Sequence, residues 1–341
     1  MKILLISPTQ FGIGGIAQHV TNLKNFLEKN DNTVEIISSE NTFTIPIKGL
    51  KNPSFMISSF LKTKFKKNFD IVHAHNIPSA LAMNNSSGKK ILTIHGIFSE
   101  QIDQLHGKST GNISKKYEKY ALSWADMITV ISKESHDYYS SLGHKVFQVP
   151  NAIDISSFSL NKDRKYKRQL IFAGRLSSEK GIDCLIEIGK KLPNDIHLII
   201  LGSGPEEEKI KEFSKKQKNI HFLGYQGKEK TISLIRGSDI LIQPSLNEGI
   251  SSTILEAMMC KTLVLTTNIG GNIELIKDNE TGLLVSSNLS NEFLEKIEYV
   301  LSNQSKLESI TNNAFTYVQQ YDWSEIGKKY LKIYENLLKE I

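Results

Sequence analysis

Two glutamates, Glu248 and Glu256, stand eight positions apart in "NEGISSTILEAMM" (247–259). They bracket Gly249, Ile250 and Ser251 and follow "LIQPS", an apolar run that reads as a buried strand. Carboxylates accept hydrogen bonds from paired hydroxyls, such as ribose and hexose both carry. A carboxylate on either side of a helix start could therefore hold a ribose and a sugar, with loop amides and the helix N-terminus facing what lies between. Thr253-x-x-Glu256 also fits a capping box, in which Glu256 would bind a backbone N–H at the helix start. That reading leaves Glu248 unexplained.

Arg175 and Lys180 lie five apart in "RLSSEKGID", after the strand-like "QLIFAG". A guanidinium forks onto phosphate oxygens, a lysine adds a point charge, and a helix N-terminus adds free N–H groups. Together they suit a diphosphate; the plain alternative is an ordinary surface pair in a βα loop. A second loop, "GIGGIA" (12–17), fits G-x-G-x-x-A, with Glu40 at the end of the next strand, which resembles a dinucleotide fingerprint. Four residues, Pro8 to Phe11, separate the first strand from Gly12, where the fingerprint wants glycine almost at once. Gly14 and Gly15 fit better as small residues that let backbone approach an anionic or sugar ligand.

The elements that must position these residues alternate along the chain. "KILLIS", "TVEIIS", "DIVHAH", "KILTIH", "MITVIS" and "KVFQVP" read as strands in the first half. "QLIFAG", "IHLIILG", "NIHFLG", "DILIQPS", "TLVLTT" and "GLLV" restart the rhythm after residue 165, and helical patterns lie between. Several runs are nearly continuous in Ile, Val and Leu, as in strands covered on both faces. β-α repetition done twice predicts two doubly wound α/β domains, whose ligands sit beyond the carboxyl ends of the strands. The polar stretch 151–169 links them. The expected domains are 1–158 and 159–322, with a C-terminal helix over 323–341 that packs back on the first.

The 341 residues fit two domains. A hydrophobic content of 39% argues against disorder. No apolar run approaches the roughly 18 residues of a membrane helix, and "MKILLISPTQ" reads as a first strand rather than a signal peptide. Two cysteines, Cys184 and Cys260, support neither a disulfide framework nor a zinc site, and the chain reads as cytoplasmic. The net charge of +6 is uneven. Residues 1–160 hold 17 basic against 12 acidic side chains, +5, leaving +1 for the rest. Between Glu40 and Asp70 there is no acid, but there are Lys48, Lys51, Lys62, Lys64, Lys66 and Lys67 around "FMISSFL". That segment is either a solvated lysine face or a basic, apolar-edged surface that meets anionic lipid or a phosphate-bearing acceptor. Aromatic-basic interleaving of a nucleic-acid reader is absent from the sequence.

In order and spacing, the chain resembles the retaining glycosyltransferases of family four. The matching pieces run nearly end to end: "GIGGIAQHV", "FDIVHAHNIPSALA", "TIHG", "ADMITVIS", "VPNAID", "FAGRLSSEKGID", "LGSGPEEEKI", "FLGY", "SDILIQPSLNEGISSTILEAM" and "NIGGNIELIKDNETGLLV". The resemblance implies the GT-B fold, two Rossmann-like doubly wound α/β domains facing a central cleft that closes to exclude water. It implies transfer of a hexose or N-acetylhexosamine from a nucleotide-diphosphate sugar, with a uridine donor preferred, to a glycan or lipid-linked acceptor of the cell surface. It gives Arg175 and Lys180 the donor diphosphate, Glu256 the ribose, and Glu248 with the Gly249–Ser251 backbone the donor sugar. His95 would face the transferred sugar, Gly15 the distal phosphate, and Leu223 to Tyr225 the base. Charge building on the departing diphosphate needs a metal or fixed cations. The sequence has no Asp-x-Asp. No metal and no cofactor beyond the co-substrate are therefore expected. Ala152 and Asn76 stand where the family often has glycine. The competing readings are an inactive nucleotide-sugar-binding relative and an NAD-dependent oxidoreductase resting on "GIGGIA" and Glu40.

Overall fold

Runs such as Ile3–Ile6 and Leu198–Leu201 have almost no solvent exposure. A strand so apolar on both faces is stable only with helices packed above and below it. The computed structural model describes residues 1–10, 15–47, 49–66, 68–98, 108–158, 160–286 and 289–339, and places these runs at the centres of two parallel sheets. The chain divides into one unit of Met1–Asn151 with Trp323–Ile341 and another of Ala152–Asp322.

In the first unit, β1 (Lys2–Ser7), β2 (Thr33–Ser38), β3 (Ile71–His75), β4 (Lys89–Ile94), β5 (Met127–Val130) and β6 (Val146–Gln148) line up in the order β2-β1-β3-β4-β5-β6. The second unit holds β7 (Arg168–Ala173), β8 (Ile196–Leu201), β9 (Ile220–Gly224), β10 (Ile240–Gln243), β11 (Leu263–Thr267) and β12 (Leu283–Val285), ordered β12-β11-β10-β7-β8-β9. Five of the flanking helices position or border the candidate residues: α1 (Gly15–Lys29), α2 (Lys51–Thr63), α3 (Ile182–Lys191), α4 (Ser252–Met259) and α5 (Trp323–Lys339). α5 buries Trp323, Ile326, Tyr330, Tyr334 and Leu337, a stripe at helical spacing, within the first unit. Residues 152–158 go with the second unit: Ile153 is buried in its core, and the Ile153 and Ile155 N–H groups donate to Tyr321 O and Asp322 Oδ1 at 3.0 Å.

Both sheets reverse their winding once. The switch falls between β1 and β3 in one and between β7 and β10 in the other. Loops leaving the carboxyl ends of adjacent strands part there and open a crevice, where open α/β sheets bind ligands.

Candidate functional site

The loops after β7 and β10 carry the residues that the sequence singles out in the second unit. Arg175 stands one residue past Gly174, exposed, and no carboxylate among the described residues pairs with it. Lys180 closes a short 3-10 turn just before α3, and its Nζ donates to Glu248 Oε2. The lysine side chain is 21% exposed and the glutamate 9%, so the ion pair is largely shielded from water.

Backbone contacts hold the two loops together. Leu246 N donates to Glu179 O at 2.8 Å. Gly181 has φ +69°, and a Cβ there would lie 1.8 Å from Pro244 O, so only glycine lets the start of α3 press on the β10 loop. Gly271 N donates to Glu248 O at 2.8 Å, and a Cβ on Gly271 would strike Gly249 O at 2.2 Å.

The start of α4 decides between the two readings of Glu256. Ser251, not Thr253, is the N-cap: its Oγ accepts from Ile254 N at 3.4 Å and pairs with the Gln243 amide at 3.1 Å. Glu256 therefore lies inside the helix, past any capping-box position, and the capping reading fails. Its side chain is 7% exposed and makes no hydrogen bond to the described residues. Burial pushes its pKa up to about 7, with Lys228 working the other way. A buried carboxyl without a partner is costly unless something else supplies one. Ile250 is buried in the core and the Ser251 hydroxyl is used by the cap, so neither side chain is left to meet a ligand. Leu223 packs partly buried against the core at the end of β9, and Tyr225 follows it 55% exposed.

In the first unit, imidazoles from α1, β3 and the end of β4 cluster together. His73 and His75 alternate on β3 and so share a face; their rings are 4.3 Å apart. His75 Nδ1 lies 3.2 Å from Nε2 of His95, which follows β4. His19, on α1, stands edge-on to His95 with ring centroids 5.0 Å apart. α5 closes the network: Tyr330 Oη is 3.2 Å from His19 Nε2, and Tyr334 Oη 2.7 Å from His73 Nδ1. His19, His73 and His75 are buried and His95 is half-buried. Burial lowers the pKa of His19 to about 4, against an opposing effect of the Asn151 side chain, and that of His73 to about 3. It holds His75 and His95 well below the ordinary value. All four imidazoles are neutral at neutral pH. Asn76 adopts φ 62°, ψ 158°, a conformation that favours glycine, and its Oδ1 accepts from His95 N at 2.9 Å. Its side chain thus fixes the backbone of His95, a link that an asparagine at a frequent glycine position did not suggest from sequence. Gly15 opens α1, exposed, with none of the described residues near the place a Cβ would take. Gly12 and Gly14 lie outside the described residues. Glu40 accepts from Gln10 N at 3.0 Å and Thr9 Oγ1 at 3.2 Å, which ties the β1 loop to the loop after β2.

The lysine-rich segment forms α2 and its flanks. Phe43, Ile47, Leu50, Ile57, Leu61 and Phe65 are all exposed, from 47% to 90%, with Lys51 and Lys64 exposed among them. Lys66 pairs with Glu35, and Lys62 donates to Asn41. Lys48 and Lys67 lie outside the described residues. No helix among the described residues is long and apolar enough to cross a membrane.

A family model of the glycosyl transferases group 1 matches residues 154–317, and one of glycosyltransferase family 4 matches residues 13–157. An uncharacterized glycosyltransferase of Methanocaldococcus jannaschii is 27% identical over 360 residues, with 99% of each chain covered. The phosphatidyl-myo-inositol mannosyltransferase of Mycolicibacterium smegmatis is 23% identical over 378 residues, covering 99% of this chain and 94% of its own. Among solved structures, Anabaena HepE in complex with UDP and glucose has the same fold, with a TM-score of 0.77 at 18% identity and complete coverage of both chains.

Proposed function

The chain belongs to glycosyltransferase family 4, in the group 1 glycosyl transferases with the GT-B fold, and from that membership we propose that it is a retaining transferase using a nucleotide-diphosphate sugar. The sugar is a hexose or N-acetylhexosamine, and the acceptor a glycan or lipid-linked glycan of the cell surface. One observation carries the reading. At the switch point of the second sheet, the β7 and β10 loops carry an exposed Arg175 and the Lys180–Glu248 pair, and α4, which follows, carries the buried Glu256 carboxyl, without a hydrogen bond to the described residues.

Each group then has a task. Arg175 and Lys180 neutralise the departing diphosphate as the anomeric C–O bond breaks and its electron pair moves to phosphate oxygen. The acceptor oxygen attacks the same face, and its proton leaves with the diphosphate. Glu256 accepts from the ribose hydroxyls. Glu248, released from Lys180 by the donor, accepts from sugar hydroxyls beside the Gly249–Ser251 amides. Leu223 and Tyr225 hold the base, the Gly15 N–H the distal phosphate, and His95 faces the transferred sugar. With two fixed cations on the diphosphate, the reaction needs no essential divalent ion. Uridine is the preferred base, and the HepE complex with UDP supports that choice.

A thermal-shift screen against UDP, GDP, ADP, NAD and their sugar conjugates tests the donor. A ligand at 100 times its Kd stabilises by about 2.7 kcal/mol, which moves Tm by several degrees. A shift with one nucleoside diphosphate names the base; a shift with NAD alone sinks the reading.

The exposed apolar and basic face around α2 supports a peripheral contact with anionic membrane and hence a lipid-linked acceptor. The mannosyltransferase relative, named for a phosphatidylinositol substrate, agrees with that choice. Flotation with phosphatidylserine-containing vesicles tests it, and a chain that stays with the soluble fraction contradicts it.

A further inference from the structure

His19, His75 and His95 each bring one ring nitrogen to within 4.8 Å of the others. The closest pair, His75 Nδ1 and His95 Nε2, is 3.2 Å apart. Two imidazole nitrogens on a tetrahedral ion, each about 2.0–2.1 Å from it, stand about 3.3 Å apart. That pair already has the spacing of two ligands on one metal, and His19 has a ring nitrogen within 4.8 Å of both. The surroundings are those of a ligand set. Tyr330 Oη is 3.2 Å from Nε2 of His19, the Asn151 side chain bears on the same ring, and the Asn76 side chain holds the backbone of His95. His19 Nδ1 is buried without a hydrogen bond of standard geometry among the described residues, as is His75 Nε2, the nitrogen of that ring that is not spaced with His95. Among the grouped ligands there is no carboxylate, so hard ions such as Mg²⁺ and Ca²⁺ have little to bind, whereas imidazole suits zinc, copper and nickel.

We propose that these three histidines form a binding site for a late first-row divalent ion, zinc above all, with the fourth position open on the half-exposed side of His95. The site does not depend on the transferase reading. Its occupancy takes His95 Nε2 out of any other role, so the ion would regulate that residue rather than serve the diphosphate.

The test uses the full chain, stripped with a chelator and titrated with Co²⁺. Trp323 lies 5.1 Å from His19, so bound cobalt quenches its fluorescence; the measurement is made in a Trp124→Phe background. The expected result is one saturable Co²⁺ per chain, displaced by Zn²⁺ and untouched by Mg²⁺. His19→Gln and His75→Gln should each weaken it at least about 10-fold, the lower end of what losing even an outer-shell partner costs. X-ray absorption on the zinc-loaded wild type should count three imidazoles, which decides the matter if a variant does not fold. Non-saturable binding, a shell with fewer imidazoles, or unchanged affinity in folded variants overturns the proposal.

Discussion

At the scale of single residues, the proposed chemistry turns on charges placed where water is scarce. Glu256 holds its proton up to about pH 7 because it is buried. In the unfolded chain its pKa is the ordinary 4.5. Between those values the folded state binds more protons, so stability falls as pH rises through the window, and the cost is complete above it. Glu256→Gln should therefore raise stability by about 3 kcal/mol at pH 8 and by almost nothing at pH 4, measured by urea unfolding. The same substitution should weaken nucleoside diphosphate binding about 10-fold or more, the worth of a hydrogen bond to a charged acceptor. Lys180 and Glu248 differ from Glu256 in having each other. Lys180→Ala and Glu248→Ala should each lower kcat/KM on the order of 100-fold, as losing one preorganised polar contact does. The double variant should recover stability, since no lone charge stays buried, but not turnover. A single variant with wild-type turnover would remove that residue from the site.

At the scale of elements, glycine and hydroxyl positions set the loops that carry those charges. Gly181→Ala puts a Cβ where Pro244 O lies, in a left-handed conformation as well, and should cost about 3 kcal/mol or more. Ser251→Ala, which removes only the cap of α4, should cost about 1 kcal/mol. Chemical denaturation ranks the two, and equal costs would mean that the β7 and β10 loops are not pressed together. The strands that precede the site were legible in the sequence because fully covered parallel strands are written as unbroken aliphatic runs. The place of Glu256 was not. Ser251 and Thr253 are both good caps, and only the pairing of Ser251 with Gln243, buried below it, selects the first. The histidine cluster was equally hidden. His19, His75 and His95 come from separate βα units, and a single histidine in any of them reads as a polar strand or helix residue until the sheet order brings them together. For α2, Ile57→Asp and Leu61→Asp should abolish vesicle flotation and leave unfolding unchanged, since both side chains are already exposed.

At the scale of the whole molecule, two parallel sheets of six strands followed from β-α repetition and its restart after residue 165. The charge is not shared evenly: +5 of the net +6 lies in residues 1–160. Vesicle binding should therefore weaken steeply between low salt and physiological ionic strength, where the screening length shortens to about 8 Å. Salt-independent binding would point to the apolar side chains alone. Group transfer separates a working enzyme from a relative that only binds nucleotide. It is measured by incubating the chain, in the presence of chelator, with labelled UDP-, GDP- and ADP-sugars and an extract of lipid-linked and glycan acceptors, then counting label in each fraction alongside nucleoside diphosphate released. One donor should pass its sugar to an acceptor with equimolar release, and the new linkage should keep the donor's anomeric configuration by NMR. Folded, nucleotide-binding protein that moves label from no donor would contradict a transferase.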